Sequence, residues 1–121
     1  MSIKEKILYV DDEEINLLIF EKNLEKKYDV ITASSGKEGL EVLTQHSEIK
    51  LVFSDLRMPG MSGIEFIQKA RETFDDKKFF ILTGYDSNEE IEKSLKDELF
   101  LQFWTRPVNY GELIKTLEKG F

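Results

Sequence analysis

Five short apolar runs recur at fairly even intervals along the chain, and this alternation limits the fold more than any other feature of the sequence. Each run has the length and the β-branched or aromatic content of a strand. The runs occupy residues 7–10, 30–33, 51–53, 79–82 and 101–104. Longer segments with helical spacing separate and follow them, and in the last of these Tyr110, Leu113, Ile114 and Leu117 form one apolar stripe. The pattern predicts five strands alternating with five helices.

A repeated capping pattern marks the expected helix starts. A serine or asparagine precedes a glutamate by three residues, so the first side chain accepts from the opening turn and the glutamate reaches back to the cap residue. The four pairs are Ser35 and Glu38, Ser62 and Glu65, Ser87 and Glu90, and Asn109 and Glu112. Another helix is expected to begin near Glu13, where neighbouring acidic residues favour the positive end of its dipole.

Strict alternation of strands and helices predicts an α/β fold with a parallel sheet, right-handed crossovers and helices on both faces. Five strands fit the flavodoxin-like, doubly wound order 2-1-3-4-5, whose switch point lies between strands 1 and 3. A chain of 121 residues is the usual size of one domain, so we expect a single domain over residues 1–121. Ligands should bind outside the carboxyl ends of strands 1 and 3.

Composition excludes several classes of function. The chain is 40% hydrophobic and 34% charged, which is typical of a globular protein. Its formal net charge of −7 disfavours nucleic acid and anionic membranes as main partners. It has no cysteine, which excludes disulfides and thiolate metal sites. There is no signal-peptide core and no apolar run long enough to span a membrane, so we expect a cytoplasmic protein.

Three aspartates follow the two strands that flank the switch point. Asp11 and Asp12 end strand 1, and Asp55 ends strand 3. Two carboxylates about 4 Å apart repel by roughly 4 kcal/mol at an effective dielectric near 20, so a third requires a compensating positive charge. Oxygen ligands of this kind suit Mg²⁺, with Mn²⁺ as the alternative. Any one aspartate alone is equally typical of an ordinary turn, but convergence of all three favours a site.

Two further strand ends place polar groups at the same edge. Thr83 offers a hydroxyl, and Gly84 after it lets the backbone approach closely, although a plain turn is the simpler interpretation. Strand 5 leads into Arg106-Pro107, which adds a fixed positive charge beside the carboxylates. His46, at a helix end, has no arrangement of a catalytic triad around it and is expected on the surface.

These motifs together resemble the receiver domain of two-component response regulators over nearly the whole chain. The motifs are Asp11-Asp12 after an apolar strand, the stretch 55–63 (DLRMPGMSG), Leu82-Thr83-Gly84, and Arg106-Pro107 before a last helix. The stretch 55–63 is the most specific of them. The resemblance implies that Asp55 accepts a phosphoryl group and that Asp12 binds Mg²⁺ directly.

The resemblance also implies the remaining roles at the site. Asp11 would be linked to the metal through water, and Arg57 would offer its backbone carbonyl to the same ion. Thr83 would supply the hydroxyl that moves to the phosphoryl group, and Phe103 would be the aromatic residue that swings inward in response. Phosphoryl transfer needs positioning and charge neutralisation, which a metal and a cation supply.

The chain departs from the family pattern in two places. The family has lysine before the proline, where this chain has Arg106, whose planar fork differs from a compact ammonium. Residues 97–100 (DELF) stand where receivers more often have small residues and glycine. The face formed by helix 4, strand 5 and helix 5 is therefore expected to differ from the corresponding face of other receiver domains. Trp104 on that strand is expected to pack, with a partner surface as the alternative.

Three hypotheses of function follow. The first is a signalling module, not an enzyme in the ordinary sense, that receives a phosphoryl group from a sensor histidine kinase or phosphotransfer protein. It would act on a downstream partner or fused effector, as a monomer or phosphorylation-dependent homodimer. The second is a receiver-like interaction module in which Arg106 pairs with Asp55 and phosphate no longer governs binding. The third and weakest is a metal-dependent phosphohydrolase, because no cap domain or general acid is evident.

Overall fold

The computed structural model describes residues 4–84 and 89–120. Within those residues the five predicted strands are present, and the first four extend to or slightly beyond their expected bounds. They are β1 (Glu5–Val10), β2 (Tyr28–Ala33), β3 (Leu51–Asp55), β4 (Lys78–Thr83) and β5 (Gln102–Thr105). The last strand begins and ends one residue later than predicted, and just before it the Leu101 amide donates to the carbonyl of Phe79 in β4 at 2.9 Å.

Five helices alternate with these strands in the described part of the chain. They are α1 (Glu14–Leu24), α2 (Gly36–Gln45), α3 (Gly63–Thr73), α4 (Glu89–Lys96) and α5 (Tyr110–Lys119). The helix expected near Glu13 is α1, and Glu13 stands at its N-cap. The prediction of five alternating pairs is therefore confirmed.

The capping predictions have three different outcomes. Ser62 and Glu65 form the complete reciprocal box at α3. At α2 the Ser35 hydroxyl accepts from the Glu38 amide, but the Glu38 carboxylate accepts from the Ser34 amide, one residue earlier than predicted. At α5 the Asn109 side chain accepts from the Glu112 amide. The pair at α4 cannot be compared, because Ser87 lies outside the described residues.

The strands form one parallel sheet in the order β2-β1-β3-β4-β5. This is the predicted flavodoxin-like order, and β1 and β3 are neighbours at its centre, where the chain direction across the sheet reverses. In their pairing Val10 stands opposite Ser54. The residues that follow, Asp11 and Asp55, therefore emerge together at the carboxyl edge of the sheet.

Alternate strand residues point to two separate cores, as the period of a strand requires. One core lies under α2, α3 and α4 and is mostly aliphatic, with Val10 and Val52 from the sheet. The other lies under α1 and α5 and is rich in aromatic rings. Its ring contacts link Tyr9, Phe20, Phe53, Phe80, Trp104 and Tyr110. We call the second one the aromatic core; it includes Tyr9, two residues before Asp11.

The segment between α4 and β5 carries the unusual residues 97–100. Glu98 has a φ of 60°, a conformation that glycine adopts at lower cost. The Arg71 guanidinium donates to the carbonyls of Glu98 and Leu99 at 2.6 and 2.9 Å, and Phe100 is buried. These contacts tie α3 to this segment and hold the less favourable backbone. Among the described helices, none is long and apolar enough to cross a membrane.

Candidate functional site

Three carboxylates meet at the carboxyl edge of the sheet, as the sequence predicts. Asp11 is fully buried, Asp55 is 6% exposed and Asp12 is exposed to solvent. One oxygen of each carboxylate lies within 4.8 Å of the other two. Among the described residues this is the grouping of acidic side chains that could hold a metal ion.

The backbone around Asp55 is fixed by close packing of the α3 start. The Gly63 amide donates to the Leu56 carbonyl at 2.8 Å, and a Cβ on Gly63 would collide with the carbonyl oxygen of Asp55. Glycine is thus required where α3 begins. The Leu56 amide also donates to Oδ1 of Asp55 at 2.8 Å, which orients the carboxylate. Gly63 therefore serves to position Asp55.

Arg106 supplies the positive charge that the carboxylate cluster needs. Its Nη2 lies 3.0 Å from Oδ1 of Asp55, and its Nη1 lies 3.2 Å from Oδ2 of Asp11. The pairing of Arg106 with Asp55 that the second hypothesis requires is therefore present, through one of the two nitrogens. The guanidinium spans two carboxylates, because Asp11 and Asp55 end neighbouring strands and both face it. Such a bridge matches the fork of arginine better than the point charge of lysine.

Tyr9 belongs to the site, although sequence reasoning missed it. Its hydroxyl donates to Oδ2 of Asp11 at 2.5 Å and accepts from Nη1 of Arg106 at 3.3 Å. Residues i and i+2 of a strand share a face, so Tyr9 and Asp11 point the same way. That periodicity is the signal that the sequence offered.

Burial and crowding shift the acidity of the site. The pKa of Asp55 is raised from 3.8 to about 6. Burial is the largest cause and the Asp11 charge acts in the same direction, while Arg106 and the Leu56 amide act against it. Burial also raises the pKa of Tyr9 strongly, and the neighbouring Asp11 carboxylate adds to the effect. The Tyr9 hydroxyl is thus a neutral donor throughout the physiological range.

The donor set fits a hard divalent cation. All three side chains offer carboxylate oxygens, which Mg²⁺ and Mn²⁺ prefer, and the cluster has more negative charge than one guanidinium balances. Asp11, Asp12 and Asp55 are therefore the residues that would hold such an ion. The Arg57 carbonyl as a further ligand stays a prediction. Arg57 itself is exposed and lines a cleft of about 400 Å³ with Asp55, Gly84 and Arg106.

The two residues expected to act as a switch lie on the neighbouring strands β4 and β5. Thr83 is buried at the end of β4, one residue beyond Leu82, which pairs with Asp55. Its carbonyl accepts from the Arg106 amide at 2.7 Å. Phe103 is half-buried against the aliphatic core. Their movement on phosphorylation stays a prediction.

Gly84 has room for a Cβ, which would lie 3.8 Å from Nη2 of Arg106. Close backbone approach therefore does not require glycine at this position, and the plain-turn interpretation is favoured.

An exposed apolar surface on α1 was also missed. Ile15, Leu18 and Ile19 are 59%, 48% and 44% exposed, whereas Phe20 and Leu24 on the same helix are buried. The run of apolar residues wraps around the helix, and this is the signal that the sequence carried. We call Ile15, Leu18 and Ile19 the α1 apolar surface. Ile19 lines an apolar cleft of about 620 Å³ with Tyr9 and Arg106.

Two other expectations can be compared with the structure. Trp104 is half-buried and lies against the rings of Phe53 and Phe80, at 5.9 and 5.8 Å between centroids, so the packing interpretation is confirmed. His46 is on the surface at the end of α2, as predicted, 3.9 Å from the Glu48 carboxylate.

Comparison with known proteins identifies the family. Residues 7–118 match the family model described as the response regulator receiver domain. Sporulation initiation phosphotransferase F of Bacillus subtilis is 29% identical over 118 residues, which cover 97% of this chain and 94% of that protein. The hydrogenase transcriptional regulatory protein HoxA of Bradyrhizobium diazoefficiens is 29% identical over 120 residues. The match covers 99% of this chain but only 24% of HoxA.

Solved structures agree with this match. The chemotaxis protein CheY4 of Vibrio cholerae has a TM-score of 0.87 and 27% identity, with 98% of this chain and 100% of that one covered. The response regulator TrrA of Thermotoga maritima, solved in complex with Mg²⁺ and BeF, has a TM-score of 0.82 and 29% identity, with 95% and 97% covered. Because the family model spans nearly the whole sequence and the fold agrees, this chain belongs to the receiver domain family of two-component response regulators.

Proposed function

We propose that this domain is a phosphorylation-controlled signalling module in which Asp55 accepts a phosphoryl group with the help of Mg²⁺. The donor is a phosphohistidine of a sensor histidine kinase or a phosphotransfer protein. The observation that carries this proposal is the convergence of Asp11, Asp12 and Asp55 beside a cation at the switch point of the sheet. Such a site can bind a divalent ion, present a carboxylate nucleophile and neutralise transferred negative charge.

The contacts of Asp55 indicate which of its oxygens reacts. Both hydrogen bonds that the described residues give to this carboxylate fall on Oδ1. We therefore infer that Oδ2 attacks phosphorus. The new bond joins Oδ2 to phosphorus, while the bond from phosphorus to the donor nitrogen breaks and its electron pair returns to the imidazole. The Leu56 amide holds Oδ1 during this step and fixes the direction of Oδ2.

The remaining residues orient the phosphoryl group and balance its charge. Asp11, Asp12 and Asp55 would hold the metal, which when bound supplies positive charge to the phosphoryl oxygens. Arg106 stands within reach of Asp55 and contributes a second positive charge to the same place. Thr83 and Phe103 are the proposed switch that transmits the modified state to a downstream partner or fused effector.

The α1 apolar surface is a suitable docking place for the phosphoryl donor. Asn16, on the same helix, lines both the cleft around Asp55 and the apolar cleft that contains Ile19. The helix α1 therefore borders the cleft through which a protein would deliver phosphate to Asp55. Apolar residues on this helix that are 44–59% exposed fit a partner helix with its own apolar face.

Intact-mass measurement tests the main proposal. The protein is incubated with acetyl phosphate, with and without Mg²⁺, beside the variant Asp55→Asn. We expect one phosphoryl group on the wild type in the presence of Mg²⁺ and none on the variant, because an amide is not an acceptor. An unchanged mass increase in the variant would contradict the assignment of Asp55.

The ion pair between Arg106 and Asp55 favours a second candidate function. A domain whose acceptor is permanently paired would bind its partner without phosphate, as a constitutive interaction module. Beryllofluoride, which mimics a phosphoryl group, distinguishes the two. Wild-type protein that neither gains mass nor binds beryllofluoride with Mg²⁺ would favour this second function.

A further inference from the structure

We propose that Tyr9 is a positioning residue that fastens Arg106 across Asp11 and Asp55, so that the guanidinium is a built-in counter-ion with which Mg²⁺ must compete. This inference rests on the proposed function of the site. It adds a residue that lies in the body of the first strand and is hidden from the cleft around Asp55.

The hydroxyl of Tyr9 is at the junction of the network. It donates to Oδ2 of Asp11 at 2.5 Å, and Nη1 of Arg106 donates to both the hydroxyl and the same carboxylate oxygen, at 3.3 and 3.2 Å. A hydroxyl can donate once and also accept, and this one does both. Tyr9 therefore bonds to the cation and to one of its two carboxylate partners simultaneously.

The ring of Tyr9 is held in place by packing, whereas the Arg106 side chain that it contacts is less tightly packed. Tyr9 is 1% exposed and packs on Phe20 at 4.5 Å between ring centroids, inside the aromatic core. Arg106 has about a quarter of its side chain exposed. A long arginine side chain loses conformational freedom when it is held in one geometry, so a rigid anchor shifts its equilibrium toward the bridging position.

The bridge is specific to arginine at position 106. Nη1 and Nη2 contact different carboxylates, Asp11 and Asp55, and only Nη1 also contacts Tyr9. A lysine ammonium is a single point charge and cannot reproduce this division. Tyr9 and Arg106 thus act as a unit, and the effect of removing the hydroxyl should depend on the residue at 106.

A double-mutant cycle on Mg²⁺ affinity tests the inference. Tyr9→Phe, which keeps the ring and its packing, is made in the wild type and in Arg106→Lys, and the dissociation constant for Mg²⁺ is measured by titration calorimetry. In the wild-type background we expect Mg²⁺ to bind roughly three- to tenfold more tightly, the range that one hydrogen bond contributes. In the Arg106→Lys background the change should be under about twofold.

Tyr28→Phe is the matched control, since it removes a hydroxyl from the same aromatic core at the far end of the sheet. It should leave the Mg²⁺ affinity unchanged. Unfolding in EDTA verifies that each variant is folded. The inference is overturned if Tyr9→Phe changes the Mg²⁺ affinity equally in both backgrounds, weakens Mg²⁺ binding or leaves it unchanged. It is also overturned if neither the wild type nor Tyr9→Phe binds Mg²⁺. A wild type that binds Mg²⁺ but never gains a phosphoryl group contradicts the proposed function instead.

Discussion

The two edges of the sheet each hold a largely buried cation, and the two are held in different ways. At the amino edge Lys77 is 8% exposed and donates to the carbonyls of Ser47 and Ile49 at 2.9 and 2.6 Å. It also lies 5.4 Å from the centre of the Phe74 ring. At the carboxyl edge Arg106 contacts the carboxylates of Asp11 and Asp55.

The partners decide what each cation can do. Neutral carbonyls satisfy the Lys77 ammonium without balancing its charge, and burial lowers the pKa of this lysine. No competing cation is drawn to such a place, so Lys77 ties two loops together. The carboxylates around Arg106 keep an excess of negative charge even when the guanidinium is present. That excess attracts a divalent ion and makes the cation at the carboxyl edge displaceable.

Removing the cation at the amino edge should have the largest effect on stability. Lys77→Met leaves the buried Ile49 carbonyl and the partly buried Ser47 carbonyl without their charged donor, so we expect the free energy of unfolding to fall by about 3 kcal/mol. Lys50→Met is the matched control, because Lys50 is half exposed and pairs with Asp76 on the surface, where a loss of under about 1 kcal/mol is expected. Urea unfolding measures both. Equal losses in the two variants would show that Lys77 is not a structural anchor.

The carboxyl edge should instead respond to metal. Mg²⁺ at 100 times its dissociation constant stabilises a protein by about 2.7 kcal/mol if it binds only the folded state. Asp12→Ala should remove most of that stabilisation, whereas Asp29→Ala, at an exposed position on β2, should preserve it. Thermal unfolding with and without Mg²⁺ gives the comparison. An identical Mg²⁺ response in Asp12→Ala and the wild type would place the metal elsewhere.

The crowding of the carboxylates should be visible without metal. The folded pKa of Asp55, about 6, exceeds its ordinary value of 3.8, so the folded state binds the proton more tightly. The corresponding stabilisation is present below pH 3.8 and is lost as the pH rises through 6. In EDTA at pH 7.5 we therefore expect Asp55→Asn to be more stable than the wild type by about 1–2 kcal/mol.

That difference should close as the pH falls below 4, because the wild-type carboxyl is then neutral as well. Urea unfolding at both pH values measures it. A wild type more stable than Asp55→Asn at pH 7.5 would mean that the Arg106 bridge outweighs the repulsion among the carboxylates.

The smallest expected effect comes from exchanging one cation for another at the carboxyl edge. Arg106→Lys replaces a fork that spans two carboxylates by a compact charge, which should free Asp55 for the donor. We expect phosphorylation by acetyl phosphate to be roughly two- to fivefold faster, or under about 1 kcal/mol in activation free energy. Rates of mass gain at matched Mg²⁺ measure this. Equal rates and equal beryllofluoride affinities would make arginine a neutral substitute.

The features predictable from the sequence are those set by local pattern and chain order. Strand periodicity and helix caps gave the order of the elements, and parallel pairing then required Asp11 and Asp55 to emerge side by side. The exact cap partner of Glu38 was wrong by one residue, because serines at 34 and 35 offer similar acceptors and donors. Local competition of that kind has no signature in the residue pattern.

The parts missed from the sequence depend on contacts between distant elements. Arg106 meets Tyr9 only because β1, β3 and the loop after β5 converge, and the division of its two nitrogens between Asp11 and Asp55 follows from side-chain geometry. The conformation of Glu98 likewise depends on Arg71, which comes from another helix. Side-chain reach across elements decided each of these cases.

The most direct test of the central proposal locates the phosphoryl group itself. Protein phosphorylated by acetyl phosphate in the presence of Mg²⁺ is reduced with sodium borohydride, which converts an acyl phosphate to an alcohol, and its peptides are sequenced by mass spectrometry. We expect homoserine in place of Asp55, and an unreduced aspartate at 55 when Mg²⁺ is omitted. Homoserine at another aspartate, or an intact Asp55 in protein that carries a phosphoryl group, would contradict it.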